Sequence, residues 1–152
     1  LATEELIRRA PGEPEPREPW YAAGLAFECR RCGGCCGGFP GYVWIDRDEI
    51  AALASYLGLA PDAFLATYAR RVGGRYTLRE VAGWNCVMLR DGACSVYDAR
   101  PVQCRTFPFW DEHLGSPRDW AAAARRCPGM NSGRLYSADE IDQLRRARAR
   151  AR

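Results

Sequence analysis

The stretch Phe27-Glu28-Cys29-Arg30-Arg31-Cys32-Gly33-Gly34-Cys35-Cys36-Gly37-Gly38 decides how this chain folds. It places half of the eight cysteines in one knot and surrounds them with four glycines. Glycine lets a backbone turn tightly and aim its amides at sulfur. The remaining thiols, Cys86, Cys94, Cys104 and Cys127, are spread downstream. Eight soft sulfur donors suffice for two complete four-thiolate sites. An even cysteine count also fits disulfides. However, Cys35 and Cys36 are adjacent, and disulfides require particular Cα separations and side-chain directions. Such a knot would have to send four bridges outward to distant partners. A metal gathers closely spaced thiolates more naturally, and a reducing, cytoplasmic compartment follows.

The run C-x2-C-x2-C has the spacing of bacterial ferredoxins, whose fourth ligand is remote and precedes a proline. Cys127-Pro128 has that form. Cys29, Cys32, Cys35 and Cys127 therefore make a candidate [4Fe-4S] set. Cys36, Cys86, Cys94 and Cys104 are left for a second site, iron-sulfur or zinc. In an extended backbone the side chains of Cys35 and Cys36 point apart, which would assign them to different sites. Zn²⁺ is the competitor, since all-cysteine tetrahedral sites are normal for structural zinc. Copper(I) ranks third.

The 152 residues are one ordinary domain, with net charge +3 and mean hydropathy −0.38. That charge is too mild to imply nucleic acid. No stretch approaches the roughly 20 apolar residues of a membrane span. All 22 basic residues are arginine, and Arg30, Arg31, Arg105, Arg125 and Arg126 flank cysteines, where guanidinium groups would offset thiolate charge. Leu1 rather than Met opens the chain, as it would after removal of an upstream segment. Residues 1–19 carry four prolines and several acids and read as a stiff arm, with a short helix over Thr3 to Arg9. The metal-binding domain spans residues 20–152.

Within it, Val43 to Ile45 reads as a strand. Asp46 and Glu49 form a capping box for a helix bearing Ile50, Leu53, Ala54 and Leu57. Gly58 stops that helix. Pro61 opens a second helix, with Phe64, Leu65 and Tyr68 inward, expected to run to about Val72, where Gly73-Gly74 stops it. Residues 75–82 and 84–89 read as strands. Arg90-Asp91-Gly92-Ala93 is a hairpin turn that brings Cys86 and Cys94 together. Pro101 opens a short helix through Cys104, and Ser116-Pro117 opens another that Cys127-Pro128-Gly129 ends. Ser137 and Glu140 cap a C-terminal helix whose Arg/Ala tail is expected to be frayed and solvated. The fold class is α+β: a small, irregular, metal-stabilised domain of short helices and a β-hairpin around cysteine-ligated sites.

The segments F-E-C-R-R-C-G-G-C-C, C-V-M-L-R-D-G-A-C-S-V-Y-D-A-R-P-V-Q-C-R-T-F-P-F and C-P-G resemble the YkgJ-type cysteine-cluster family, the CxxCxxCC zinc- or iron-chelating domain. The match runs from about Phe27 to Ile141. It places all eight cysteines, Tyr97, Arg100-Pro101 and Phe107-Pro108. The resemblance implies metal binding through these cysteines. The domain is also similar to the cysteine-rich part of flagellin lysine-N-methylase, which implies an iron-sulfur cluster. This chain shows no methyl-donor domain.

The lone His113 lies in a polar stretch and reads as a solvated loop residue. Without a second histidine, a hydrolytic zinc site of the usual kind lacks its ligands. Tyr97, Arg100 and Arg105 read either as donors to sulfur or as clamps, with Asp91 or Asp98 as ion-pair partners. Phe107, Phe109 and Trp110 read as packing over a metal site. The leading function is a metal-binding protein carrying iron-sulfur, in a redox, metal-handling or modification-accessory role. A structural zinc adaptor with two four-cysteine sites comes second, and a component of a protein lysine methylation enzyme third. No catalytic residue is assigned. A protein partner is the expected partner class, with no nucleic acid and no membrane.

Overall fold

The computed structural model describes residues 16–151. The helix expected over Thr3 to Arg9 and nearly all of the N-terminal arm lie outside the described residues.

Among the described residues the chain forms six short α-helices and four small antiparallel sheets. This is the α+β mixture expected of the sequence. Strand β1 (Leu25–Phe27) precedes the cysteine knot, and β2 (Trp44–Ile45) follows it. Helix α1 (Arg47–Tyr56) starts where the sequence says it should. Asp46 accepts from the Glu49 amide at 2.8 Å, and Glu49 accepts from the Asp46 amide at 3.0 Å. Its Ile50, Leu53 and Ala54 are buried. Helix α2 (Pro61–Tyr68) begins at the expected proline but ends four residues before the expected stop. Residues Ala69–Val72 instead form β3, paired with β4 (Arg75–Leu78) across Gly73-Gly74. Gly73 takes φ 60, so the glycine pair makes a hairpin turn rather than a helix stop. β4 lies between β2 and β3.

The two longer strands expected downstream are broken into pieces. Strand β5 (Glu80–Val81) pairs with β6 (Asn85–Cys86), and β7 (Leu89–Arg90) with β8 (Ala93–Cys94). In the second hairpin Asp91 and Gly92 both have positive φ, 51 and 79, as a two-residue type I′ turn requires. Short helices follow: α3 (Val102–Arg105), α4 (Asp111–Leu114) and α5 (Pro117–Ala124). Strand β9 (Arg134–Tyr136) returns to pair with β1, and the C-terminal helix α6 runs over Ala138–Arg150.

These elements bury two separate hydrophobic clusters. The first gathers Ile45, Leu53, Phe64, Leu78, Met88 and Val96. The second gathers Tyr21, Phe109, Leu114, Trp120, Met130 and Ile141. Helix α6 is docked rather than frayed. Ile141 is fully buried, Tyr21 donates to Asp142 at 2.8 Å, and Arg145 and Arg148 pair with Asp111 and Glu112. Alternating Arg and Ala looks solvated in sequence because the acidic partners sit more than 30 residues away. No single helix among the described residues is long and apolar enough to cross a membrane.

Replacing Ile141 with Ala is expected to destabilise the protein by about 2–4 kcal/mol, through lost burial and a cavity in the second cluster. Urea denaturation checks this; a loss below about 1 kcal/mol would show that the helix is not docked.

Candidate metal centre

All eight cysteines line one cavity. Its volume is about 80 Å³, several times what a single water requires. Leu78, Met88 and Val96 of the first cluster form one wall, while Phe27, Phe107 and Trp110 form another. Cys32 and Cys35 are exposed and the other six thiols are half-buried. Every cysteine is a free thiol.

The local backbone explains how the thiols are aimed. The Arg31 amide donates to Cys29 Sγ and the Gly34 amide to Cys32 Sγ, each at 3.4 Å. The Met88 amide acts to lower the Cys86 thiol, the Val96 amide that of Cys94, and the Gly129 and Met130 amides that of Cys127. In all five cases the amide concerned includes the one two residues beyond the cysteine. Amide donors of this kind suit sulfur in the form that binds metal. Glycine enables the arrangement where the turn is tightest. Gly33 has φ 73, and a Cβ there would lie 2.6 Å from the Gly92 carbonyl oxygen, so only glycine lets the knot lie against the Asp91-Gly92 hairpin turn.

Four tertiary contacts bring the segments together. The Glu28 amide donates to the Gly129 carbonyl at 3.0 Å and the Asn131 amide to the Ala26 carbonyl at 2.9 Å, which carries Cys127 to the knot. The Gly33 contact carries Cys94 there. Glu49 then uses its second oxygen, Oε1, to accept from the Val102 amide at 2.7 Å, fixing the helical turn that holds Cys104. The pairing of β1 with β9 was not legible in the short sequence runs, yet it accounts for the position of Cys127.

Cys35 and Cys36 depart from the expected geometry. Gly34–Cys36 is a 3-10 turn rather than extended chain, and the two sulfurs lie 4.0 Å apart instead of pointing to opposite sides. Cys36 lies in hydrogen-bond contact with Cys35. Its thiol is pushed far up, first by Cys35 and then by Cys94. Cys36 in turn lowers Cys35 to about 7 and Cys94 to about 6, with the Arg100 guanidinium assisting both. Burial pushes Cys86, Cys104 and Cys127 up. Cys104 is also raised by Cys86, Cys35 and Cys94, and Cys127 by Cys32 and Cys35. Two sulfur neighbourhoods thus meet at Cys35.

Among the described residues no three Cys, His, Asp or Glu side chains converge tightly enough to grip one ion. The thiols surround a space instead of a point. That space, with a purely sulfur donor set around it, fits thiolate-bound metal.

Other residues singled out from the sequence are distributed unevenly. Arg30, Arg31, Arg100 and Arg126 line the cavity, and Arg105 and Arg125 do not. Arg100 donates to the Tyr97 carbonyl at 2.8 Å and stacks on the Tyr97 ring. Phe109 is buried in the second cluster, whereas Phe107 and Trp110 border the thiols. His113 is not a solvated loop residue. It sits on α4, half-buried, with Nδ1 2.8 Å from the Pro108 carbonyl and its ring stacked on Trp110. Sequence reasoning missed Gln103, which accepts from the Trp44 amide and donates to the Tyr42 carbonyl, tying the cavity wall to β2. Its position beside Cys104 is the one signal that pointed to it.

A family model described as "CxxCxxCC: Putative zinc- or iron-chelating domain" matches residues 28–128. An uncharacterized protein of Methanocaldococcus jannaschii is 33% identical over 92 residues, covering 59% of this chain and 48% of its own length. The chain thus spans about half of that relative. No solved structure matches.

In metal-free protein, Cys94 should be alkylated by iodoacetamide with a midpoint near pH 6, because its thiolate is the favoured form above about 6. Cys104 should stay unreactive through about pH 9, since burial holds it protonated well above the usual thiol range. Site-resolved mass spectrometry reads both, and equal midpoints would contradict the hydrogen-bond pattern.

Proposed function

The chain belongs to the CxxCxxCC family of zinc- or iron-chelating domains, and on that premise we propose that its eight cysteines hold an iron-sulfur centre in a redox, metal-handling or modification-accessory role. The observation that carries this reading is the convergence of every thiol in the chain on one cavity. The donor set is soft sulfur, which suits iron-sulfur clusters and zinc. Cys29, Cys32, Cys35 and Cys127 would hold one part, consistent with Cys127 lying near Cys32 and Cys35. Cys36, Cys86, Cys94 and Cys104 would hold the other, with Cys104 near Cys86 and Cys94 and also near Cys35, where the two sets adjoin. A cluster bound there supplies one-electron transfer.

The protein's own contribution is charge control and exclusion of water. The amides and the four cavity arginines offset thiolate charge. Phe107, Trp110, Met88 and Val96 line the cavity beside the six half-buried sulfurs, while Cys32 and Cys35 stay exposed. The cavity lies between the two hydrophobic clusters, so bound metal would join them and add to stability. A reducing compartment such as the cytoplasm keeps the thiols available.

Structural zinc is the second reading, because the all-cysteine donor set suits two tetrahedral four-cysteine sites as well as it suits clusters.

Anaerobic purification, with a visible spectrum and iron, zinc and sulfide counts on one sample, separates the readings. Absorption near about 400 nm with iron and acid-labile sulfide is the expected result. Two zinc ions and no sulfide would establish the zinc module instead. Cys29→Ser should deplete the first set and Cys36→Ser the second; equal loss from both would merge the two sets into one centre. Chelation should lower the melting temperature in either case.

A further inference from the structure

Cys35 and Cys36 are chain neighbours whose sulfurs lie 4.0 Å apart, in hydrogen-bond contact. An extended chain would send adjacent side chains to opposite faces. Here they fall on the 3-10 turn Gly34–Cys36, entered through Gly33 in the left-handed conformation, and the turn brings both sulfurs together. Cys35 is exposed and Cys36 half-buried. Cys32, the other exposed thiol, directs its sulfur to the Gly34 amide at 3.4 Å instead.

The turn is also held from outside. A Cβ on Gly34 would stand 3.0 Å from the Arg126 carbonyl oxygen, and one on Gly37 would stand 2.0 Å from Asn85 Oδ1. Glycine on each side of the pair therefore lets two distant segments close on the turn. The thiol pair is presented by that packing and not by an isolated loop.

We propose that Cys35 and Cys36 are a redox switch on the metal centre: a peroxide joins them as a disulfide, and this one event withdraws a ligand from each of the two proposed four-cysteine sets. The inference rests on the proposed ligation, in which Cys35 serves one set and Cys36 the other. The Cys35 sulfur attacks one oxygen of hydrogen peroxide; the O–O bond breaks, the other oxygen leaves as water, and Cys35 becomes a sulfenic acid. The Cys36 sulfur then attacks the Cys35 sulfur; the S–S bond forms, the S–O bond breaks and a second water leaves. Two thiols lose two electrons and two protons, and one peroxide becomes two waters. A sulfur in a disulfide is no longer the thiolate that binds metal. Each set drops to three ligands, too few for a closed four-thiolate site. Adjacent Cα atoms stand about 3.8 Å apart, below the roughly 4.4 Å at which ordinary disulfides begin. The bond is therefore strained, and a thiol reductant reopens it.

The test adds one equivalent of hydrogen peroxide to metal-free protein and to zinc-loaded protein. In the metal-free protein, tandem mass spectrometry should place the first disulfide at Cys35–Cys36, and dithiothreitol should reverse it. In the zinc-loaded protein, a chromophoric chelator should read release of about two ions per disulfide, one from each set. Cys36→Ser removes the second thiol, so Cys35 should stop at the sulfenic acid and be trapped by dimedone. A first disulfide elsewhere, such as Cys32–Cys35, would overturn the proposal. Release of about one ion per disulfide would overturn it too, because the pair would then not couple the two sets. A wild-type protein that binds neither zinc nor iron would remove the proposed function and the switch with it, whereas a misplaced disulfide in a protein that binds metal removes the switch alone.

Discussion

Mutual repulsion of clustered thiolates is the constraint on which the rest of this structure depends. Two unit charges about 4 Å apart repel by about 4 kcal/mol at an effective dielectric near 20, and Cys35 and Cys36 are 4.0 Å apart. Eight sulfurs around one cavity cannot all ionise without compensation. The protein answers with backbone amides donated to Cys29 and Cys32, arginines lining the cavity, and a contact between Cys35 and Cys36 that favours the thiol form of Cys36. A metal centre would supply the stronger positive charge that lets the thiolates gather.

The hydrophobic architecture follows from the same constraint. The helices and sheets do not share one core; they form two clusters with the thiols at the boundary. Cys86 and Cys94 pack against the first cluster and Cys127 against the second. Strand pairs of two to four residues are weak alone. They persist because each is tied elsewhere: Glu49 to Val102, Gln103 to Trp44, Glu28 to Gly129. Each tie also places a cysteine or its neighbour. The elements that make the fold are thus largely those that position sulfur.

Local chemistry was legible in the sequence, and so were the cysteines. The capping boxes at Asp46 and Ser137, the Asp91-Gly92 turn and the proline-led helices depend on neighbours within four residues, so their signals are intact in the chain. The misplaced end of the second helix has a different origin. Residues 69–72 have no strong local preference, and pairing with Arg75–Leu78 decided them.

What the sequence by itself determined is the chemical identity of the site: eight soft donors, an extreme local density of thiols and the glycines that let them gather. Those properties are carried by residue type and short spacing. Only the tertiary structure decided that the eight line a single cavity, that Cys35 and Cys36 face each other, and that Tyr97 is held by an arginine 66 positions earlier and another three positions later. These depend on the β1–β9 pairing, on the contact of Gly33 with the hairpin turn and on a 3-10 turn in place of extended chain. Their energies come from groups far apart in sequence, whose meeting no local pattern records.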